Sequence, residues 1–174
     1  FKIDADVIVP IPDSGVPAAL GFSQTSGIPF ELGLIRNHYV GRTFIEPTQN
    51  IRQFGVKLKH SVNVSYIKNK KVILIDDSIV RGTTAKKIVK MVYDAGAKEV
   101  HLGVSCPPIT HPDFYGIDTP NYNELIASNK NIDEMSSIIG TKSLFFLSLD
   151  GTYRAMGCEE RDNSSPQFTD HCFT

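Results

Sequence analysis

The run Val72-Ile73-Leu74-Ile75-Asp76-Asp77-Ser78-Ile79-Val80-Arg81-Gly82-Thr83-Thr84 decides how this chain is read. Four β-favouring apolar residues end at two adjacent carboxylates, a loop of small and hydroxyl residues follows, and a helix-like pattern begins at Ala85. A buried strand that feeds a polar loop and then a helix is the place where open α/β sheets bind ligands. Gly82, Thr83 and Thr84 can offer backbone N–H groups and hydroxyls to a phosphate, aided by the helix N-terminus. Asp76 and Asp77 suit neighbouring hydroxyls, or a magnesium ion held partly through water. One ligand with a phosphate, vicinal hydroxyls and a metal-bound polyphosphate meets all of these demands: a phosphorylated, activated ribose. A simple cap and turn would account for one aspartate, but not for two followed by Arg-Gly-Thr-Thr. A Walker B strand also ends in acids, yet its partner GxxxxGK[ST] loop occurs nowhere in the chain, which excludes a P-loop NTPase.

Working outward, a strand over Val7–Ile11 runs into the turn Pro12-Asp13-Ser14-Gly15, and a helix is expected from Val16 to Thr25, stopped by Gly27. A strand is expected over Phe30–Ile35. Residues 36–59 are then polar, basic and aromatic without steady periodicity, a length typical of lids and binding loops. Within them Arg36, His38, Tyr39, Arg42, Thr43 and Arg52 could meet a polyphosphate, with Gly41 as a hinge. The helix Ala85–Ala95 places Ile88, Val89, Val92 and Ala95 on one face, and a strand follows over Val100–Ser105. Alternating strands and helices describe an α/β fold with a parallel, doubly wound sheet flanked by helices. After Pro107-Pro108 short helices are expected near Asn123–Ala127 and Asp133–Ile139, then an apolar segment Leu144–Leu149. The domain is taken as residues 1–160, with 161–174 a surface-wrapping or disordered tail. Pro12–Gly15 alone would be an ordinary β-turn. At the same sheet edge as Asp76 and Asp77 it becomes a second anion cradle, with the Ser14 oxygen close to a metal.

An apolar fraction of 41%, a charged fraction of 21% and a net charge of −1 over 174 residues describe a single globular domain. They give no sign of a nucleic-acid surface or of a membrane span. The odd set Cys106, Cys158 and Cys172 forms no CxxC pair, and with no secretory signal this points to a reducing cytoplasm. The chain opens at Phe1, almost directly on a strand, and reads as a piece of a longer protein.

These residues resemble the type I phosphoribosyltransferases, whose substrate is 5-phosphoribosyl-1-pyrophosphate (PRPP). Residues 72–84 look like their PRPP signature and Pro12–Gly15 like their pyrophosphate loop. More narrowly, residues 31–45, Asp76–Thr84, Phe114–Asp118 and Glu124–Ala127 resemble the amidophosphoribosyltransferases of purine biosynthesis. The resemblance implies the type I fold with a flexible lid, and a reaction in which ammonia displaces pyrophosphate from C1 of PRPP. It implies that Asp76 and Asp77 bind the ribose hydroxyls, and that Ser14, Asp76 and Asp77 lie at the magnesium site. PRPP would be held by Asp13, Ser14 and Gly15 on one side and by Asp76, Asp77, Ser78, Ile79, Val80, Arg81, Gly82, Thr83 and Thr84 on the other. Arg36, Tyr39, Arg42 and Ile45 would belong to the closing loop that acts in catalysis and shields an ammonia path.

The resemblance further implies a glutaminase domain in the same full-length chain as the ammonia source, a homo-oligomer, and feedback by AMP and GMP. Two departures stand out. The glutaminase region is missing, so this chain alone cannot hydrolyse glutamine. One branch of the family binds an iron–sulfur cluster, but this chain has Asp113 at one cysteine position and lacks the terminal CxxC, so no cluster is expected. Two other functions compete. A purine-salvage transferase would need an aromatic stacking residue after Ser105, where the chain has Cys106-Pro107-Pro108-Ile109. A non-catalytic PRPP-sensing domain would be expected to carry a DNA-binding segment, and it would have no need of a lid.

Overall fold

The computed structural model describes residues 3–37, 60–113 and 121–174. Its main sheet has four parallel strands, β1 (Val7–Pro10), β4 (Lys71–Asp76), β5 (Glu99–Val104) and β6 (Ser143–Phe146), adjacent in that order. In β4, Val72, Ile73 and Leu74 are fully buried and Ile75 nearly so. The unbroken apolar run follows from its central place, since a parallel strand covered on both faces has no solvent side.

The two faces carry separate cores. Val7, Val9, Val72, Leu74, Val100, Leu102 and Leu144 pack on one face, beneath Ile88, Val89 and Val92 of helix α3 (Thr83–Asp94) and Met135 and Ile139 of helix α5 (Ile132–Ile139). Ile8, Ile73 and Ile75 face the other way, against Ala19 and Phe22 of helix α1 (Val16–Ser26). The α1 helix ends at Gly27, whose φ of 73° lets its N–H reach Ser23 O at 2.9 Å. At the start of α5, Asn131 and Glu134 form a reciprocal capping box.

The expected strand Phe30–Ile35 is corrected. Phe30 makes an isolated bridge to Ile8, and the strand itself is β2 (Leu34–Arg36). It pairs antiparallel with β3 (His60–Val62) outside the main sheet. Leu34 is buried, but Gly33 lies where an added Cβ would come within 2.9 Å of Val9 and Ile67 side chains, so the hairpin packs over the sheet rather than extending it. A short helix α2 (Val64–Ile67) follows β3 and puts Ile67 into the same core.

The apolar segment Leu144–Leu149 divides: its first part lies in β6, and helix α6 (Leu149–Ala155) begins at its end. Ser148 stops the strand pattern by capping α6, accepting the Gly151 N–H at 3.0 Å. Gly103 of β5 lies opposite Phe145 of β6, and a Cβ there would come within 2.5 Å of the ring. Gly103→Ala is therefore expected to destabilise the domain by about 1–3 kcal/mol through overpacking. Thermal unfolding of Gly103→Ala, Phe145→Leu and the double variant checks this: the double variant should lose less than the sum of the singles.

After β5 the chain makes a 3₁₀ turn, Tyr122–Glu124, and the short helix α4 (Ile126–Asn129) before α5. The segment 161–174 is tied to the domain at its two ends, through Arg161 and through Asp170 to Phe173. Asp170 is buried and accepts the Tyr153 hydroxyl at 2.8 Å and Arg161 Nε at 2.5 Å. The arginine holds that carboxyl below the usual carboxylate range. Thr110 and His111 donate their N–H groups to Cys172 O, seating the final 3₁₀ turn His171–Phe173 against Ile109 and Leu125. Among the described residues no helix is long and apolar enough to cross a membrane.

Candidate PRPP site

The C-terminal ends of β1 and β4 deliver two loops to one point. Ile11 donates its N–H to Ile75 O at 2.8 Å, and Gly15 donates back to Ile11 O at 3.0 Å, closing residues 11–15 into a tight turn. The Pro12–Asp13 peptide within it is cis. The turn lies so close to β4 that a Cβ on Gly15 would stand 2.2 Å from Ile75 O. Only glycine fits there. This approach brings Ser14 Oγ to 2.8 Å from Asp77 Oδ1, so the two loops identified from sequence meet directly.

Asp77 also accepts the Ser78 hydroxyl at 3.1 Å. Burial acts to raise its carboxyl, but hydrogen bonds from Asp76, Ser14 and Ser78 together outweigh it, and the pKa lies below the ordinary value. Asp76 is 8% exposed. Burial first, then the hydrogen bond to Asp77 and its negative charge, push the Asp76 carboxyl up to about 8. The two neighbours are thus set apart in acidity, burial favouring the protonated form of Asp76 while hydrogen bonds favour the ionised form of Asp77. Ser105, which the sequence reading did not single out, fixes the strand end by donating both its N–H (3.0 Å) and its hydroxyl (3.2 Å) to Asp76 O.

The loop after Asp77 divides its residues between two jobs. Ile79 is buried in the core and Val80 packs against the cluster of Ile109, Leu125 and Cys172, so their side chains anchor the loop and only their backbone can face a ligand. Gly82, with φ 73°, turns the chain into α3. The first-turn N–H groups of α3, at Thr83 and Thr84, have no partner inside the helix and suit a phosphate. Arg81 is already engaged, with Nε 2.6 Å from Glu124 Oε2.

Arg36 lies at the end of β2, and its Nη1 is 2.6 Å from Asp13 Oδ2. It therefore joins the hairpin to the Pro12–Gly15 turn. Tyr39, Arg42 and Ile45, with His38, Gly41, Thr43 and Arg52, lie outside the described residues, as does the motif Phe114–Asp118. Cys106, just beyond β5, is held in the thiol form: burial first, then the charge of Asp77, push its pKa up to about 12.

No group of three or more His, Cys, Asp or Glu able to hold a metal occurs among the described residues. Two carboxylates and the Ser14 hydroxyl cannot cage a cation. They do fit a magnesium ion that takes most of its oxygens from water and from a bound polyphosphate.

The tight turn and the loop after the acidic pair both lie within residues that a known family model matches. The Phosphoribosyl transferase domain model covers residues 1–132. The chain belongs to the phosphoribosyltransferase family. Amidophosphoribosyltransferases from Rhizobium etli and Bacillus subtilis are 62% and 48% identical to it, each over 99% of the chain. The chain spans about a third of their length, 35% and 36%. The structure of glutamine PRPP amidotransferase from B. subtilis, complexed with ADP and GMP, superposes with a TM-score of 0.85 at 48% identity. It covers 99% of this phosphoribosyltransferase chain and 38% of that one.

Proposed function

We propose that this phosphoribosyltransferase domain carries out the amidophosphoribosyltransferase reaction. Ammonia attacks C1 of PRPP, the bond from C1 to the pyrophosphate oxygen breaks, and 5-phosphoribosylamine and pyrophosphate result, with one proton passing from nitrogen to solvent. The observation that carries the reading is the 2.8 Å contact between Ser14 and Asp77, which makes one site of the two loops. A ligand with phosphate groups at both ends of a ribose spans such a site.

Each loop has its part in this reading. Thr83 and Thr84, at the α3 N-terminus, receive the 5-phosphate. The Asp76–Asp77 pair accepts the ribose hydroxyls, and the backbone of Asp13, Ser14 and Gly15 holds the pyrophosphate. Ser14, Asp76 and Asp77 would hold a magnesium ion brought with PRPP, and such an ion would supply neutralisation of the charge on the leaving group. Ammonia needs little activation, so catalysis rests on positioning and charge neutralisation, and no residue here has to act as a general base.

Arg36, together with Tyr39, Arg42 and Ile45, would close over the site and keep water from C1. The identities of 48% to 62% with amidophosphoribosyltransferases support ammonia as the acceptor over a purine base. By the same reading, the ammonia comes from a glutaminase region of a longer chain, the protein is a cytoplasmic homo-oligomer, and AMP and GMP compete at the PRPP site. The B. subtilis relative was solved in complex with ADP and GMP, which supports nucleotide binding as part of this reading.

The test is pyrophosphate release from magnesium–PRPP with ammonium, hypoxanthine or guanine as acceptor. Release with ammonium alone is the expected result. Release that requires a base would transfer the domain to purine salvage.

A further inference from the structure

The phosphate loop is held from outside as well as from the core, and the segment that holds it has no place in the chemistry above. Glu124 Oε2 lies 2.6 Å from Arg81 Nε. Two residues on, Ile126 donates its N–H to Val80 O at 3.0 Å. The Ile126 side chain lies so near Gly82 that a Cβ there would come within 3.0 Å of it. Three consecutive loop residues, Val80, Arg81 and Gly82, are thus each met by Glu124 or Ile126. Between these two, Leu125 is fully buried against Ile109, Cys172, Val80 and Phe173. The brace is itself seated in a core.

We propose that Glu124 is a positioning residue for the 5-phosphate: by holding Arg81 beside the loop it sets the backbone of residues 82–84, and Arg81 works as a tie rather than as a phosphate ligand. The inference rests on the PRPP reading of the site. The guanidinium keeps its Nη donors, but its Nε–H and its orientation are given to Glu124. With that N–H on Glu124, the arginine is turned toward the brace.

An exposed ion pair alone contributes little, so the effect on affinity is expected to be modest and selective rather than total. The pyrophosphate turn at residues 12–15 makes no described contact with this brace, and its affinity should be indifferent to Glu124.

The experiment measures binding of three probes to the chain by calorimetry with magnesium present: PRPP, ribose 5-phosphate and inorganic pyrophosphate. Glu124→Gln should weaken ribose 5-phosphate and PRPP about three- to fivefold and leave pyrophosphate within error. Glu124→Asp should recover part of the loss, and the exchanged pair Arg81→Glu with Glu124→Arg should recover more than either single variant retains. In turnover with ammonium, the change should appear in KM for PRPP, with kcat within twofold.

Equal weakening of all three probes would overturn the proposal, because it would report general loosening of the fold. So would unchanged ribose 5-phosphate affinity in Glu124→Gln. A loss in Arg81→Met that Glu124→Gln does not share would assign Arg81 to the phosphate directly. If the unaltered chain bound none of the three probes, the PRPP reading would fail, and that outcome is distinct from all of these.

Discussion

Asp76→Asn is expected to make the empty domain more stable and at the same time to remove its affinity for magnesium–PRPP by at least about 100-fold. The two effects have one cause. In the folded chain the Asp76 carboxyl is pushed up from an ordinary 3.8 to about 8, chiefly by burial. The unfolded chain ionises it near the ordinary value. Between these limits the folded state binds the additional proton, so unfolding free energy falls as pH rises from about 4 to about 8. The stabilisation is fully present below the lower limit and lost above the upper one. Asparagine is a permanent mimic of the neutral acid. Its amide can donate to Asp77 as the protonated carboxyl does, and it carries no charge to desolvate.

Thermal unfolding should therefore show a higher midpoint for Asp76→Asn at pH 8, by about 2–4 °C for each kcal/mol gained, and little difference at pH 4. Binding runs the other way, because the ribose hydroxyls and the magnesium ion need a carboxylate. Hydrogen bonds to charged groups are worth about 1.5–3 kcal/mol each, which sets the scale of the loss. Asp77→Asn should abolish binding to a similar extent without the gain in stability, since Asp77 is held below its ordinary pKa. An Asp76→Asn variant less stable than the parent at pH 8 would contradict the assignment of the proton to Asp76.

Gly15→Ala is expected to reduce kcat/KM by roughly 100-fold, the order of loss produced by displacing bound groups about 1 Å from their working geometry. The added methyl would stand 2.2 Å from Ile75 O and 2.8 Å from Ile11 O. Both are backbone atoms and neither can swing aside, so the turn itself must move away from β4. Movement stretches the Ser14–Asp77 contact at 2.8 Å. The loss should fall on pyrophosphate affinity more than on ribose 5-phosphate affinity, which calorimetry of the two ligands reads directly. An equal loss of both would mean that the turn is a fold element and not a separate half of the site.

Much of this was legible in the chain. Val72–Asp76 announced a central parallel strand because four consecutive apolar residues have no solvent face, and the helix after it followed from Ile88, Val89 and Val92. The partnership of Ser14 with Asp77 was foreseeable only as two loops on one sheet edge, since it spans 63 positions and depends on how Gly15 lets the backbones approach.

What escaped was set by tertiary contacts. Phe30–Ile35 has strand-like residues, yet only Phe30 bridges to the main sheet, at Ile8, while Leu34–Arg36 pairs with β3 outside it. Leu144–Leu149 reads as one apolar segment, because the signal that divides it is a single capping serine, Ser148. Ser105 carries no local pattern that marks a function, and Glu124 is visible in the sequence only as part of a family-like motif with no role attached. Each matters through one partner distant in sequence, Asp76 and Arg81, 29 and 43 positions away.

The central claim is that the turn at residues 12–15 and the loop at 76–84 form one site for one ligand. Competition calorimetry tests it most directly: magnesium–PRPP is titrated into the chain alone, then in the presence of ribose 5-phosphate, then of pyrophosphate. The account predicts one PRPP per chain, dependence on magnesium, and displacement by each fragment separately. PRPP binding that only one fragment can displace, or that survives Asp77→Asn unchanged, would contradict it.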